Sequence, residues 1–568
     1  MEQYDVVVVG AGVCGLSAAH TFLTIDPDLS LLVVDPKSTI GGVWSKEQLY
    51  PGLRTNSVQG YFEFSDYPVL AADVGVKRRA HISGNQMHAY LENFAKHFDL
   101  NRHIRLCTEI IRAREDGAEN GDAGWTLDCE SSNPGDGESM STIRCKKLFK
   151  GPVVHTFDLG RAAPGIVDDE NVKNVVVIGG AKSAHDAVYI FASAGKHVDW
   201  ILPSRGAVPM AKPSSKLGSW TIFVEAVLMF RPITWLGPAP WSVGDGFGWI
   251  RRFLHGTSLG NRLVKGYWET TGGQALQESG IMDNQKAQVL LPRDTPMFYG
   301  TQVSALNYDT NFYDLLNENK VSVATGKIDY IDGSRIHMDS GDVLNTDAII
   351  LATGYNHSTG IPLEPASKNL SRGCPIDLSE HQDNIYPDLD AKSDRQIVSQ
   401  FPLMLHAPSK PERTPSLTPW RLWRFLAPPS QINNSAKGRN LVFLNAVASF
   451  QTVIKCEVTS LWAYAYLHDR LAIPTPTESD ARREISLWTR FGKFRAALGM
   501  QGKQADLLLD GLPYYDLLLR DLGLRSWRKG WGWIGEVFWG AYSAQDYRGI
   551  VGEWMAMQKG LGGKEKTL

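Results

Sequence analysis

Residues 5–19 read DVVVVGAGVCGLSAA, and this stretch decides the fold. Four consecutive β-branched residues, Val6 to Val9, predict a parallel strand covered on both faces. Gly10, Gly12 and Gly15 follow as G-x-G-x-x-G where the strand should turn into a helix. In such a turn the first glycine bends the chain, the second lets backbone N–H groups reach a pyrophosphate, and the third lets helix pack on strand. The helix N-terminus adds a positive dipole end for the phosphates. Leu31 to Val34 predict a second strand ending in Asp35, about 20 residues past Gly15, where an acid takes ribose hydroxyls.

The pattern recurs further along. Asn174 to Ile178 is another apolar strand run, followed by Gly179, Gly180, Ala181, Lys182, Ser183 and Ala184. Alanine replaces glycine at the second and third key positions and is still small enough for a turn against pyrophosphate. The next strand, Val198 to Leu202, ends in Pro203, Ser204 and Arg205 rather than an acid. A carboxylate repels a 2′-phosphate, whereas a guanidinium takes it bidentately, so this second site favours NADPH over NADH. Lys182 is either an added charge for the phosphates or a solvated lysine.

Between and after these units stand further motifs. Ile40-Gly41-Gly42-Val43-Trp44 sets small residues against a flat ligand and offers an indole to cover it, unless Trp44 is an ordinary core aromatic. Tyr50 to Asn56 reads YPGLRTN, Tyr61 to Pro68 reads YFEFSDYP, and Phe149 to Thr156 reads FKGPVVHT. Asp347 to Tyr355, DAIILATGY, closes the second unit with small residues, Thr353 and Gly354 among them. In this order the motifs resemble the flavin-containing monooxygenases, a family close to the Baeyer–Villiger monooxygenases.

The resemblance implies an α/β fold of two nested Rossmann-like dinucleotide-binding domains, one for FAD and one for NADPH, with an inserted subdomain and a helical C-terminal extension. The boundaries expected are 1–148 and 351–475 for the FAD domain, 149–350 for the NADPH domain with its insertion at about 207–297, and 476–568 for the extension. Lys37, Gly42, Val43 and Trp44 join the glycines and Asp35 as cofactor-binding residues. Asn56 matches the family's asparagine beside the flavin, which helps hold the oxygenated intermediate; the alternative reading is a turn residue bonding its own backbone. Two departures stand out. The FxGxxxH motif ends at Leu159 where the family has an aromatic residue. The family's ATG-type strand and crossover are missing between Leu148 and Phe149, which points to an altered gene model or a damaged hinge.

Across all 568 residues the formal net charge is −3, which gives nucleic-acid binding no support. Six cysteines without a CxxC suit a reducing compartment and leave a flavin no dithiol outlet, so O2 is its natural acceptor. The first strand starts close to Met1 and no long uncharged apolar run occurs, so a cytoplasmic protein is expected. His255 has no partner at metal-ligand spacing, and no metal is expected. The Trp/Phe-rich insertion and the tail carrying Trp527, Trp531, Trp533, Trp539 and Trp554 are read as packing on the core in preference to a membrane surface. The function implied is insertion of one oxygen atom from O2 into a small organic substrate, in the manner of fungal enzymes that tailor polyketides. The alternatives are an NADPH oxidase-like flavoprotein and an impaired relic lacking the crossover.

Overall fold

A computed structural model describes residues 2–69, 71–116, 124–131, 153–202, 207, 210–212, 214–217, 220–291, 297–299, 304–354, 361–377, 386–407, 417–444, 446–495 and 505–565. Ser204, Arg205, Tyr355 and the junction between Leu148 and Phe149 lie outside them. The opening valines form β1 (Val6–Val9), the glycine turn leads into α1 (Val13–Ile25), and β2 (Leu31–Val34) returns parallel to β1 with Val6 opposite Leu31. Next come β3 (Arg54–Val58) and β4 (His81–Ser83), an antiparallel pair, then α2 (Gly84–His97) and β5 (Ile104–Arg105). Ser83 and Gln86 close a capping box at the start of α2. β5 completes a parallel sheet of order β1-β2-β5.

One expectation fails here. β1 is not covered on both faces: it is an edge strand, and Val9 is 49% exposed. Among the described residues nothing pairs with the far edge of β1, the side on which a further strand would add to the sheet.

The second unit is a five-stranded parallel sheet. Its strands are β6 (Val153–His155), β7 (Asn174–Ile178), β8 (His197–Leu202), β9 (Val321–Thr325) and β10 (Ala348–Leu351), in the order β9-β8-β7-β10-β6. β7 is central, with Val175, Val176 and Val177 fully buried, and α3 (Lys182–Ser193) packs on it. Each fully buried aliphatic side chain of this kind stabilises the fold by about 1.5–3 kcal/mol. Leu159, where the family places an aromatic residue, is buried in this core. Within residues 308–317 only Asp314–Asn317 is helical.

Insertion and C-terminal extension share one core with the first unit. The insertion supplies α4 (Arg231–Thr234), α5 (Gly248–Gly256) and α6 (Ser258–Ser279); the last third of the chain supplies α7 (Thr452–Leu467), α8 (Gly511–Asp521), α9 (Trp533–Phe538) and α10 (Ile550–Glu565). α7 lies along α1: the Tyr464 ring meets Phe22 edge-on at 5.2 Å and Ser460 Oγ donates to Ser17 Oγ at 3.3 Å. Cys14 and Cys456 are joined sulfur to sulfur across this contact, 442 residues apart, a pairing that spacing along the chain does not reveal. After Asn440 a short strand forms at Val447–Ala448, and Phe443 N donates to Leu426 O at 2.9 Å. Among the described residues no helix is long and apolar enough to cross a membrane.

Glu457 on α7 provides a test of this packing. Its Oε1 accepts from Ser65 N and Oγ at 2.9 and 2.8 Å, while burial pushes its carboxyl from 4.5 up to about 8. A raised folded value means stability is complete below pH 4.5 and is lost as pH rises through 8. Glu457→Gln, which keeps the acceptor, is therefore expected to raise Tm by about 2–4 °C at alkaline pH and to leave it unchanged near pH 4.5. Equal shifts at both pH values in a thermal scan would count against the buried neutral acid.

Candidate active site

The first turn is built from backbone. Gly10 adopts φ +100°, open only to glycine at low cost, and its N–H donates to Val34 O at 2.7 Å. Gly15 packs against the turn so closely that a Cβ there would stand 1.8 Å from Gly10 O. Asp35 is buried at the end of β2; its Oδ2 accepts from Ala11 N at 2.7 Å and Oδ1 from Lys37 N at 2.9 Å. Those bonds fix the carboxylate beside the turn and leave a lone pair on each oxygen. Lys37 Nζ donates to Gly42 O at 2.7 Å, which ties the Gly41–Gly42 loop to the end of β2. Gly41 N in turn donates to Ala11 O at 2.9 Å. A Cβ on Gly42 would lie 3.1 Å from Gly12 Cα, so two glycine loops form a cradle walled by main chain.

This cradle fits a dinucleotide. The N-cap of α1 is Gly12, with no capping side chain and no acid in the first turn, so the helix end is left for an anion. Trp44, read as either a cover for a flat ligand or a core aromatic, is buried: its indole meets Phe62 at 6.0 Å and its carbonyl bonds His88 Nδ1 at 2.9 Å. Val43, beside it, is the exposed residue of the loop.

The second turn repeats the design with small side chains. Gly179 lies against Ala352 O, where a Cβ would approach to 2.2 Å, so Thr353 and Gly354 leave β10 beside this turn. Ala184 is fully buried in the role Gly15 plays in the first unit, while Ala181 is exposed and Ser183 half-buried. Lys182 is engaged within the protein. Its Nζ pairs with Asp186 Oδ1 at 2.5 Å and donates to Asn307 Oδ1 at 2.9 Å and Tyr308 OH at 3.0 Å. An ammonium paired with a carboxylate one helical turn on acts as a strut.

That strut reaches the first unit. Asn307 Nδ2 donates to the carbonyls of Arg54 and Thr55 at 3.4 and 3.3 Å, and Tyr50 OH donates to Asp186 Oδ2 at 3.0 Å. Arg54 pairs with Asp309 at 2.7 Å. Asn56 is the next residue along β3, in a stretch where the register with β4 shifts between Arg54 and Val58. Bulges of this kind aim side chains at functional sites. Thr55 is buried, with Oγ1 bonded to Ser57 O and Ile82 N, so the strand on which Asn56 rides is held from both sides. Asp186, Asn307 and Tyr308 were not singled out by the sequence motifs; the Lys182–Asp186 spacing of four on a helix was the one available signal.

Two glycine-type turns follow parallel strands, and the second is tied through Lys182 and Asn307 to the bulged strand β3. The family description "Flavin-binding monooxygenase-like" matches residues 3–136. FAD-dependent monooxygenase rstn6 of Aspergillus nomiae is 31% identical to this chain over 98% of both. FAD-dependent monooxygenase resA of Aspergillus sclerotiorum is likewise 31% identical, over 98% of this chain and 99% of its own. Among solved structures, an oxidized steroid monooxygenase bound to NADP shares the fold with a TM-score of 0.52 and 19% identity, covering 92% of this chain and 98% of that one. A cyclohexanone-bound cyclohexanone monooxygenase does so with a TM-score of 0.53 and 16% identity, covering 91% and 97%. The chain belongs to the FAD-dependent monooxygenases, and FAD is the flavin its first cradle serves.

Proposed function

We propose that this monooxygenase takes its hydride from NADPH at the second turn and inserts one oxygen atom of O2 into a small organic substrate of fungal secondary metabolism, a polyketide in the simplest case. Bound FAD and NADPH supply the hydride and oxygen chemistry. The chain's own part is positioning and protection. Gly12, Gly41 and Gly42 seat the FAD pyrophosphate and Asp35 its ribose; Gly179, Ala181 and Ser183 seat the second dinucleotide. Ser204 and Arg205 receive its 2′-phosphate, and Thr353 and Gly354 bring the backbone past it. The reading places the enzyme in the cytoplasm.

One observation carries the proposal: Lys182, at the second turn, is linked through Asn307 to the backbone of β3 directly before Asn56. Among the described residues the Asn56 side-chain amide, half-buried, makes no hydrogen bond within the protein, so both N–H groups can serve a bound group. Asn56 is thus the donor we assign to the reacting edge of bound FAD, where its N–H groups would hydrogen-bond oxygen and help exclude water.

The purified protein is expected to be yellow, to bleach with NADPH without air and to recolour in air. Asn56→Ala is expected to keep the flavin-to-protein ratio and the bleaching, while recolouring in air becomes about ten-fold faster, the worth of one hydrogen bond. Stopped-flow absorbance reads both steps. An unchanged recolouring rate removes Asn56 from the mechanism. A protein that takes up no FAD on reconstitution supports the relic reading.

A further inference from the structure

The insertion carries a repeated surface motif. On α5, Trp249, Arg252 and Phe253 stand at i, i+3 and i+4; on α6, Leu259, Arg262 and Leu263 repeat the spacing. All four apolar side chains are exposed, Trp249 at 66%. The opposite faces are fixed in the core: Arg251, Leu254 and His255 are buried on α5, and Val264 and Trp268 on α6. Between residues 248 and 266 the chain has four cations, Arg251, Arg252, Arg262 and Lys265, and no acid, although the whole chain is net −3. Arg251 is spent on buried Asp245 and Lys265 pairs with Glu269 at 3.7 Å, which leaves Arg252 and Arg262 exposed on this face.

A second patch adjoins the first. Phe247, just before α5, stacks on Trp527 at 5.4 Å, and Trp527 Nε1 donates to Asp245 O at 2.8 Å. Beyond Trp527, the aromatics expected to pack on the core do not: Trp531 is 76% exposed and Phe538 72%, with Trp533 and Trp539 also exposed. Only Gly535 and Glu536 of α9 face inward, with Glu536 bonded to Arg231, so these rings are held out on a fixed element. Trp554, by contrast, is in the core.

We infer that this face docks on the surface of an anionic lipid bilayer. Aromatic and leucine side chains interleaved with cations are what the headgroup boundary accepts, and tryptophan prefers that depth. A second copy would set Arg252 and Arg262 against the same cations, a like-charge contact that disfavours a dimer through this face. The absence of acids from residues 248–266 selects a negative surface.

Co-sedimentation with vesicles tests this with the full-length protein, and the outcome does not depend on the oxygenation reading. Vesicles of equal parts phosphatidylcholine and phosphatidylserine are expected to bind the protein about 25-fold more tightly than phosphatidylcholine alone, at about five-fold for each of Arg252 and Arg262. Raised salt should abolish the difference. R252E/R262E is expected to lose the preference for phosphatidylserine, and W531S/F538S to weaken binding to both vesicle types about ten-fold, with Tm and flavin content unchanged. The inference is overturned by absence of vesicle binding, whether light scattering then reports a monomer, a dimer or capture by an acidic protein. Binding that survives both double variants overturns it as well.

Discussion

Gly15→Ala is expected to give a protein without bound flavin. The new Cβ would stand 1.8 Å from Gly10 O and 3.0 Å from Gly10 C, and both are backbone atoms of the turn that α1 must cap. No rotamer relieves such an overlap. Either α1 moves away from β1 or the turn opens, and each change spoils the alignment of N–H groups on the pyrophosphate. Overpacking of this severity costs about 3 kcal/mol or more. The ratio of flavin to protein absorbance should fall at least about ten-fold, and Tm should fall with it. Gly165→Ala is the control, because nothing lies within 4 Å of that position in the helix Leu159–Asp168. It should stabilise by about 0.5–1 kcal/mol and keep its flavin. If the two variants behave alike, the close approach at Gly15 does not govern the turn.

Arg231→Met is expected to be strongly destabilising where the insertion meets the C-terminal extension. Arg231 is fully buried on α4, with Nη1 2.5 Å from Asp516 of α8 and Nε 2.5 Å from Glu536 of α9. Its Nη2 also donates to Tyr542 OH at 3.1 Å. Removing the guanidinium leaves two carboxylates in the core without a cation, at a cost of about 3–5 kcal/mol. The loss should concentrate where the extension meets the insertion, so trypsin should cut first near α9. Neutralising both acids as well, in R231M/D516N/E536Q, is expected to recover most of the stability, because the cost lies in the orphaned charge rather than in the lost pair. A triple variant as unstable as the single one would assign the effect to packing of the arginine stem.

Both results turn on contacts of very different legibility. The strand–turn–helix units at Val6 and Asn174 were readable because valine runs and glycines at fixed offsets constrain the backbone locally. Asp35 and Ala184 fell where the offsets put them. The partners of Lys182 were not readable: an ammonium near a helix start suits a phosphate by charge alone, and only the fold brings Asn307 and Tyr308, more than a hundred residues away, within reach of it. Arg231 is separated from its partners by 285 and 305 residues, beyond any pattern in a single sequence. The tail tryptophans misled for a different reason. Residue type argued for burial, whereas a six-residue helix anchored through Glu536 has only one inward side.

The α1–α7 contact has a consequence for how the molecule is made. The segments it joins, pinned by Cys14 and Cys456, are separated by 442 residues. At synthesis rates of roughly 5–20 residues per second, α7 leaves the ribosome about 20–90 s after α1. During that interval Leu16, Ala19 and Phe22 have no partner helix, while the five-stranded unit emerges whole and can fold. The nascent chain therefore completes its middle before its beginning, and its first segment is the one that depends on chaperones.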